Sequence, residues 1–263
     1  MSTRQTNLLF LALMVLFLQG CIKITITRSD KRDPVPQSVQ LPENIILTSL
    51  GAVNINKVDF FPSSFRIEAQ GKVIYVDPIV IDDAKPADYI FITHAHPDHL
   101  SLSDIEKIVQ EETLVICPKK VVNKLSGYKV KAVKPGDVLD FGNIKCEAVA
   151  AYNTRAKFLW IKAHPKSAMN VGYILTINGV RLYHAGDTDL IPEMKGIKNI
   201  TVAMVPIGGD KLTMSPEQAA AAINAMKPQI VVPMHYELGK NYTETFKQLV
   251  DKNIRVEIMG NEQ

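Results

Sequence analysis

Cysteine is scarce in this chain, three in 263 residues, so no disulfide framework carries the fold. Neither sign of charge dominates either. Thirty Lys and Arg stand against 27 Asp and Glu, and they are interspersed, which excludes the concentrated basic patch of a nucleic-acid binder. No short-period repeat and no low-complexity block is present. Tryptophan occurs once. What remains is ordinary globular composition, 46% hydrophobic and 22% charged, in a chain long enough to bury a core without disulfide or metal staples.

The first twenty residues are a different material. "MSTRQTNLLFLALMVLFLQGC" has a short polar start with Arg4 and then an apolar run from Leu8 to Leu18. Those 11 residues are fewer than the ~20 a helix needs to span a bilayer. The layout is that of a secretory signal peptide, and Leu18-Gln19-Gly20-Cys21 resembles a bacterial lipobox, from which Gln19 departs. The resemblance implies a lipoprotein signal peptide over residues 1–20 and a lipidated Cys21. It also implies a cell-envelope protein facing the periplasm if the source has two membranes. Ile22 is not the aspartate associated with inner-membrane retention, which favours the outer membrane. A plain signal peptide or an uncleaved anchor is the alternative. Residues 21–43, polar and carrying three prolines between 33 and 43, are expected to form a tether, and residues 44–263 the folded domain. Cys117 and Cys146 lie in strand-like apolar stretches, and pairing and free thiols both stay open.

Within the domain, "FRIEAQGKVIYVDP" is expected to turn at Gln70-Gly71 and "GYILTINGVRLYHAGD" at Asn178-Gly179. "SLSDIEKIVQEE" offers a helix with Ser103 and Glu106 in capping-box spacing. "SPEQAAAAINAMKP" offers another, with Ser215 as cap, Pro216 at the first helical position, Gln218 completing the box and Pro228 closing. Strand-rich pieces at 46–93 and 140–188 are each followed by a helix-bearing stretch. Two such halves predict sheets packed together with helices outside.

The chemistry is concentrated in "FITHAHPDHLS", which places His94, His96, Asp98 and His99 just after the apolar strand "DYIFIT". Neutral imidazole and carboxylate are ligands for zinc, manganese or iron. One ion rarely takes four ligands from six consecutive residues, because their backbone vectors fan apart. Two adjacent ions account for the density better, one with His94 and His96 and the other with Asp98 and His99.

"HAHPDH" resembles the H-x-H-x-D-H signature of the metallo-β-lactamase superfamily, and the resemblance extends over about residues 45–260. It implies a four-layer αβ/βα sandwich, two mixed sheets flanked by helices, with a binuclear site at one edge. By the same resemblance His164 in "KAHPKSAMN" completes the first site, Asp187 in "HAGDTDL" bridges both, and His235 in "VVPMHYE" completes the second. The implied cofactors are two divalent ions, zinc first, with manganese or iron as alternatives. The implied reaction is hydrolysis by a metal-activated water, with Asp98 as the catalytic residue that orients it. His184 is left over and is expected to be a packed side chain.

The second histidine, His96, argues against the oxygen-reducing diiron branch, which typically carries glutamate there. The chain is most similar to the broad metal-dependent hydrolase branch that includes ascorbate-phosphate lactonase-like and N-acylphosphatidylethanolamine phospholipase D-like proteins. That branch implies an ester, lactone or phosphodiester substrate, small-molecule or lipid, and disfavours a β-lactam. Fold alone does not name the substrate. A non-catalytic metal-binding protein and an iron redox protein are the competing classes. Substrate contacts are expected from Tyr152, Asn153, Trp160 and Tyr236, with Phe158 divided between the pocket and the core. The lysines at 119, 120, 124, 129, 131 and 134 are expected to form a solvated face.

Overall fold

A computed structural model describes residues 24–32, 37–157 and 160–260. The first half runs β1 (Ile26–Arg28), β2 (Ser38–Gln40), β3 (Ile46–Ser49), β4 (Val53–Ile55), β5 (Val58–Phe61), β6 (Phe65–Ala69), β7 (Lys72–Val76), β8 (Tyr89–Phe91), α1 (Leu102–Ile108), β9 (Leu114–Pro118), α2 (Lys119–Val122) and β10 (Lys129–Val133). The second runs β11 (Val138–Asp140), β12 (Ile144–Ala150), β13 (Val171–Ile177), β14 (Val180–His184), β15 (Val202–Pro206), α3 (Pro216–Met226), β16 (Ile230–Met234), β17 (Tyr236–Glu237), α4 (Tyr242–Leu249) and β18 (Arg255–Val256).

Each half builds one seven-stranded mixed sheet, in the orders β10-β9-β8-β7-β6-β3-β2 and β11-β12-β13-β14-β15-β16-β18. In both, antiparallel meanders give way to parallel strands, at β7–β8 in the first and β14–β15 in the second. The two turns predicted from sequence are tight two-residue turns with both residues at positive φ: Gln70 (54°) with Gly71 (70°), and Asn178 (47°) with Gly179 (81°).

The sheets face each other across one core. Phe91 of β8 meets Tyr173 of β13 at 5.0 Å between ring centroids. The Tyr173 hydroxyl donates to the carbonyl of Ile92 at 2.8 Å, tying the sheets together. Alternation along β8 and β9 sends Ile90, Val115 and Cys117 to the opposite face, where Ile105 and Ile108 of α1 and Val121 of α2 cover them. Ala219 and Ile223 of α3 and Phe246 of α4 are buried against the other half. Helix α3 has the expected cap, with Ser215 and Gln218 exchanging hydrogen bonds at 3.1 and 3.4 Å. Its end is set by Lys227 in the left-handed conformation, just before Pro228.

Two sequence expectations need correction. Helix α1 is capped by Ser101, whose Oγ accepts from Asp104 N at 3.3 Å, and Ser103 lies inside the helix. The Asp104 carboxylate also accepts from Val80 N and Ile81 N at 2.8 and 2.9 Å, so a long-range contact selects Ser101 and Asp104. The expected tether is folded where it is described. β1 pairs with β4, β2 pairs with β3, and the guanidinium of Arg32 is buried against Val80 O, Asp82 and Gly51 O. The β-branched Ile26 and Thr27 are strand material once an edge is available to them. Of the two options left open for Cys117 and Cys146, the structure has free, buried thiols in two different sheets. The leader and Cys21 lie outside the described residues. Among the described residues no helix is long and apolar enough to cross a membrane.

A third, four-stranded sheet, β1-β4-β5-β17, closes one side. Its last strand begins directly after His235, so the N-terminal segment is built into the wall beside the candidate site.

Candidate metal centre

Parallel strands end at one edge of a sheet, and the loops that follow them converge there. β7 ends at Val76 and is followed by Asp77; β8 leads to His94; β14 leads to Asp187; β16 is followed at once by His235. Asp77 (φ 47°) and His235 (φ 54°) occupy the left-handed region, where the chain turns sharply out of the strand. The turn at His235 needs room. Gly208 lies against it so closely that a Cβ there would meet the His235 carbonyl at 2.3 Å.

These loops assemble two ligand groups, and within each the ligand atoms lie within 4.8 Å of one another. The first is His94, His96 and His164, with His164 Nε2 at 3.1 Å from His96 Nδ1. The second is Asp98, His99, Asp187 and His235. In it, His235 Nε2 is 3.3 Å from Asp98 Oδ2 and 3.1 Å from Asp187 Oδ2, and His99 Nε2 is 3.3 Å from Asp187 Oδ1. Asp187 also faces the first group, with Oδ2 at 3.6 Å from His164 Nε2 and 3.9 Å from His94 Nε2.

The imidazoles are held from behind. Asp77 Oδ2 accepts from His99 Nδ1 at 2.7 Å and from the Thr93 hydroxyl at 2.6 Å. With its proton committed to Asp77, Thr93 Oγ1 accepts from His94 Nδ1 at 3.0 Å. One carboxylate therefore fixes the Nδ1 proton of a histidine in each group and turns its Nε2 toward the centre. His164 Nδ1 donates to Asn153 Oδ1 at 2.9 Å and lies 3.2 Å from Leu212 O. Asn153 donates in turn to Leu212 O at 2.7 Å and to the buried Asp189 at 3.3 Å. The edge of Phe60 rests on His235 at 4.9 Å.

Electrostatics divide the site. Burial pushes His94 well below the usual histidine range, helped by the charge on His99, and brings His164 down to about 4. Burial also works against a charged His235, but Asp187 and Asp98 outweigh it and raise His235 to about 9. They raise His99 well above the ordinary value in the same way. Asp187 and Asp98 are correspondingly depressed despite burial, by His235 and His99.

The donor set fits cations. Among the described residues, His94 Nε2, His99 Nε2, His235 Nε2 and Asp187 Oδ1 are buried without a hydrogen-bond partner. Such atoms cost ~1–3 kcal/mol each when nothing compensates them. That four of them converge on one centre is what bound divalent ions would resolve.

Asp98 and His235 open onto a cavity of about 230 Å³. Ile55, Val58 and Phe60 form its apolar wall, and Asp210, Glu237 and Tyr242 its polar one. The expected substrate contacts fall elsewhere. Asn153 and Tyr236 are fully buried, the first behind His164 and the second packed on Phe61 at 5.4 Å, and neither lines this cavity. Tyr236 turns inward because it opens β17, where strand alternation commits its ring to the core. Tyr152 lines a different cavity, its hydroxyl donating to Glu193 at 2.9 Å. Trp160 is 81% exposed, away from the ligands' cavity. Phe158 lies outside the described residues. His184 is buried at 2.9 Å from Ser63 O, and the six lysines are exposed.

Asp77, Thr93, Asp189 and the wall from β4 and β5 were not singled out from sequence. Asp77 did carry a signal, since "VIYVDP" ends an apolar strand with a ligand-type residue just as Asp187 and His235 do.

Residues 59–235 match the β-lactamase superfamily domain. A UPF0173 metal-dependent hydrolase of Lysinibacillus sphaericus is 35% identical over 187 residues, 66% of this chain and 82% of that protein. A crystal structure from Parabacteroides distasonis, described as a metal-dependent hydrolase, is 34% identical with a TM-score of 0.71 and covers 86% of this chain and 98% of its own. The metallo hydrolase Igni18 of Ignicoccus hospitalis is 25% identical with a TM-score of 0.62, covering 76% of this chain and 93% of its own. The fold is the metallo-β-lactamase sandwich, and the chain belongs to the UPF0173 metal-dependent hydrolase family of the metallo-β-lactamase superfamily.

Proposed function

We propose that this protein hydrolyses an ester, lactone or phosphodiester with two divalent ions, zinc in first place. His94, His96 and His164 would hold one, Asp98, His99 and His235 the other, with Asp187 shared. The observation that carries this is the pair of ligand groups meeting at Asp187, with their buried ligand atoms lacking hydrogen-bond partners. Two such ions would supply a nucleophilic water ionised near neutral pH and polarise a carbonyl or phosphoryl oxygen.

The chain's own groups do the rest. Asp98 lines the cavity, keeps 20% of its side chain exposed, and is held ionised by His99 and His235. It would orient the attacking water and pass a proton toward the leaving oxygen. Ile55, Val58 and Phe60 exclude water from one side of the reacting bond. The cavity is smaller than the ~300–1,000 Å³ of most ligand pockets, so it encloses a small substrate or one end of a larger one.

Metal content by mass spectrometry tests the reading directly. About two zinc or manganese ions per chain are expected, falling to one or fewer in Asp187→Ala, together with loss of lactone and phosphodiester hydrolysis. Two irons would move the chemistry to redox, and no metal after reconstitution would remove the mechanism.

A further inference from the structure

On either side of residues 158 and 159, residues 153–157 and 160–164 combine a fixed base with exposed apolar side chains. That base is locked. Asn153 N donates to His164 O at 2.7 Å, and Lys157 N donates to Ile161 O at 2.8 Å. The buried carboxylate of Asp189 accepts from Thr154 N and Thr154 Oγ1, both at 2.8 Å, and from Arg155 N at 3.2 Å. Trp160 and Ile161 are nevertheless presented to water, 81% and 54% exposed. Lys157 and Lys162 flank them and are exposed as well. No Asp or Glu occurs anywhere from residue 148 to 186, so no neighbouring carboxylate along this segment offsets those charges.

Exposed apolar surface held out on a fixed base marks an interaction site. An indole with flanking ammonium groups suits one partner above others. Tryptophan settles at the level of lipid headgroups, and lysines beside it are drawn to an anionic leaflet. We propose that Trp160 and Ile161, with Lys157 and Lys162, dock this face of the protein on an anionic lipid bilayer. The segment ends in the ligand His164, and Leu212, whose carbonyl holds Asn153, lines the cavity. Docking would therefore fix the segment that carries His164 relative to the lipid surface. That the substrate is an amphiphile reached from that surface is a consequence that rests on the hydrolase reading; the docking does not.

Trp160 is the only tryptophan in the chain, so its fluorescence reports on this contact even if the N-terminal apolar run also binds lipid. The full chain is mixed with vesicles of phosphatidylglycerol or phosphatidylcholine carrying brominated acyl chains. On phosphatidylglycerol the emission moves to shorter wavelength and is quenched by bromine, and high salt weakens both effects. Quenching titrations of Lys157→Gln with Lys162→Gln give a lipid affinity about 30-fold lower, the loss expected for two lysines near an anionic surface. Metal content of this variant is unchanged, because neither lysine touches a ligand. An indole that stays in water while the chain sediments with vesicles overturns the proposal, as does a failure to sediment. A blue shift that grows with protein concentration without lipid identifies a second copy as the partner and overturns it too. So does a shift produced by a soluble ester alone, which would make the tip a substrate contact.

Discussion

A histidine serves a cation only when its ring is aimed, and Asp77 fixes that aim in each ligand group, through His99 directly and through Thr93 to His94. Asn153 does so for His164 alone. Asp77→Ala is accordingly expected to weaken both metal sites, by about 10–100-fold, whereas Asn153→Ala weakens only the first. Chelator competition that resolves two affinities separates these outcomes. The pH dependence follows from His235. Its value in the metal-free protein, about 9, lies above the ~6.5 of an unfolded chain, so its stabilisation is complete below ~6.5 and is lost as pH rises through 9. Urea unfolding of chelator-stripped protein should show a midpoint that falls over that window. Metal affinity should rise over the same window, because binding must displace this proton.

Among the elements, the strand ends do the positioning, and close backbone approach is what keeps them in register. Gly208 follows β15 and presses on the carbonyl of His235 at the end of β16. Gly208→Ala is expected to destabilise the fold by about 1–3 kcal/mol and to loosen the ion held by His235. Gly196→Ala, where a Cβ meets nothing within 4 Å, is the neutral control in the same denaturation experiment. The helix caps show how far local pattern carries. Ser215-Pro216 with Gln218 closes on itself and was legible from four residues. Local spacing pointed to Ser103, and the contact from Asp104 to Val80 and Ile81 across the fold placed the cap at Ser101 instead.

For the molecule as a whole, the resemblance of residues 18–21 to a lipobox predicts that metabolic labelling with a fatty acid tags the wild-type chain and not Cys21→Ser. Docking through Trp160 would add a second contact on the folded domain, one that orients the domain as well as retaining it. The N-terminal segment also acts at this scale. Through β1 and β4 it braces β5, whose Phe60 touches His235, so residues read as a spacer help to wall the candidate site.

Sequence by itself determined the dense cluster of ligand-type residues from His94 to His99, the strand-end placement of His94, Asp187 and His235, the two hairpin turns and the two-sheet architecture. These depend on short-range patterns: alternation along a strand, the residues a turn tolerates, ligand density in one loop. The tertiary structure alone decided which groups stand behind the ligands, which way Tyr236 points, and that residues 26–28 and 38–40 are strands. Each of those depends on a partner tens of residues away, such as Asp77 for His99, Phe61 for Tyr236 and β4 for β1. Hydrogen bonds and strand edges of that kind exist only once the sheets have formed, so no local pattern encodes them.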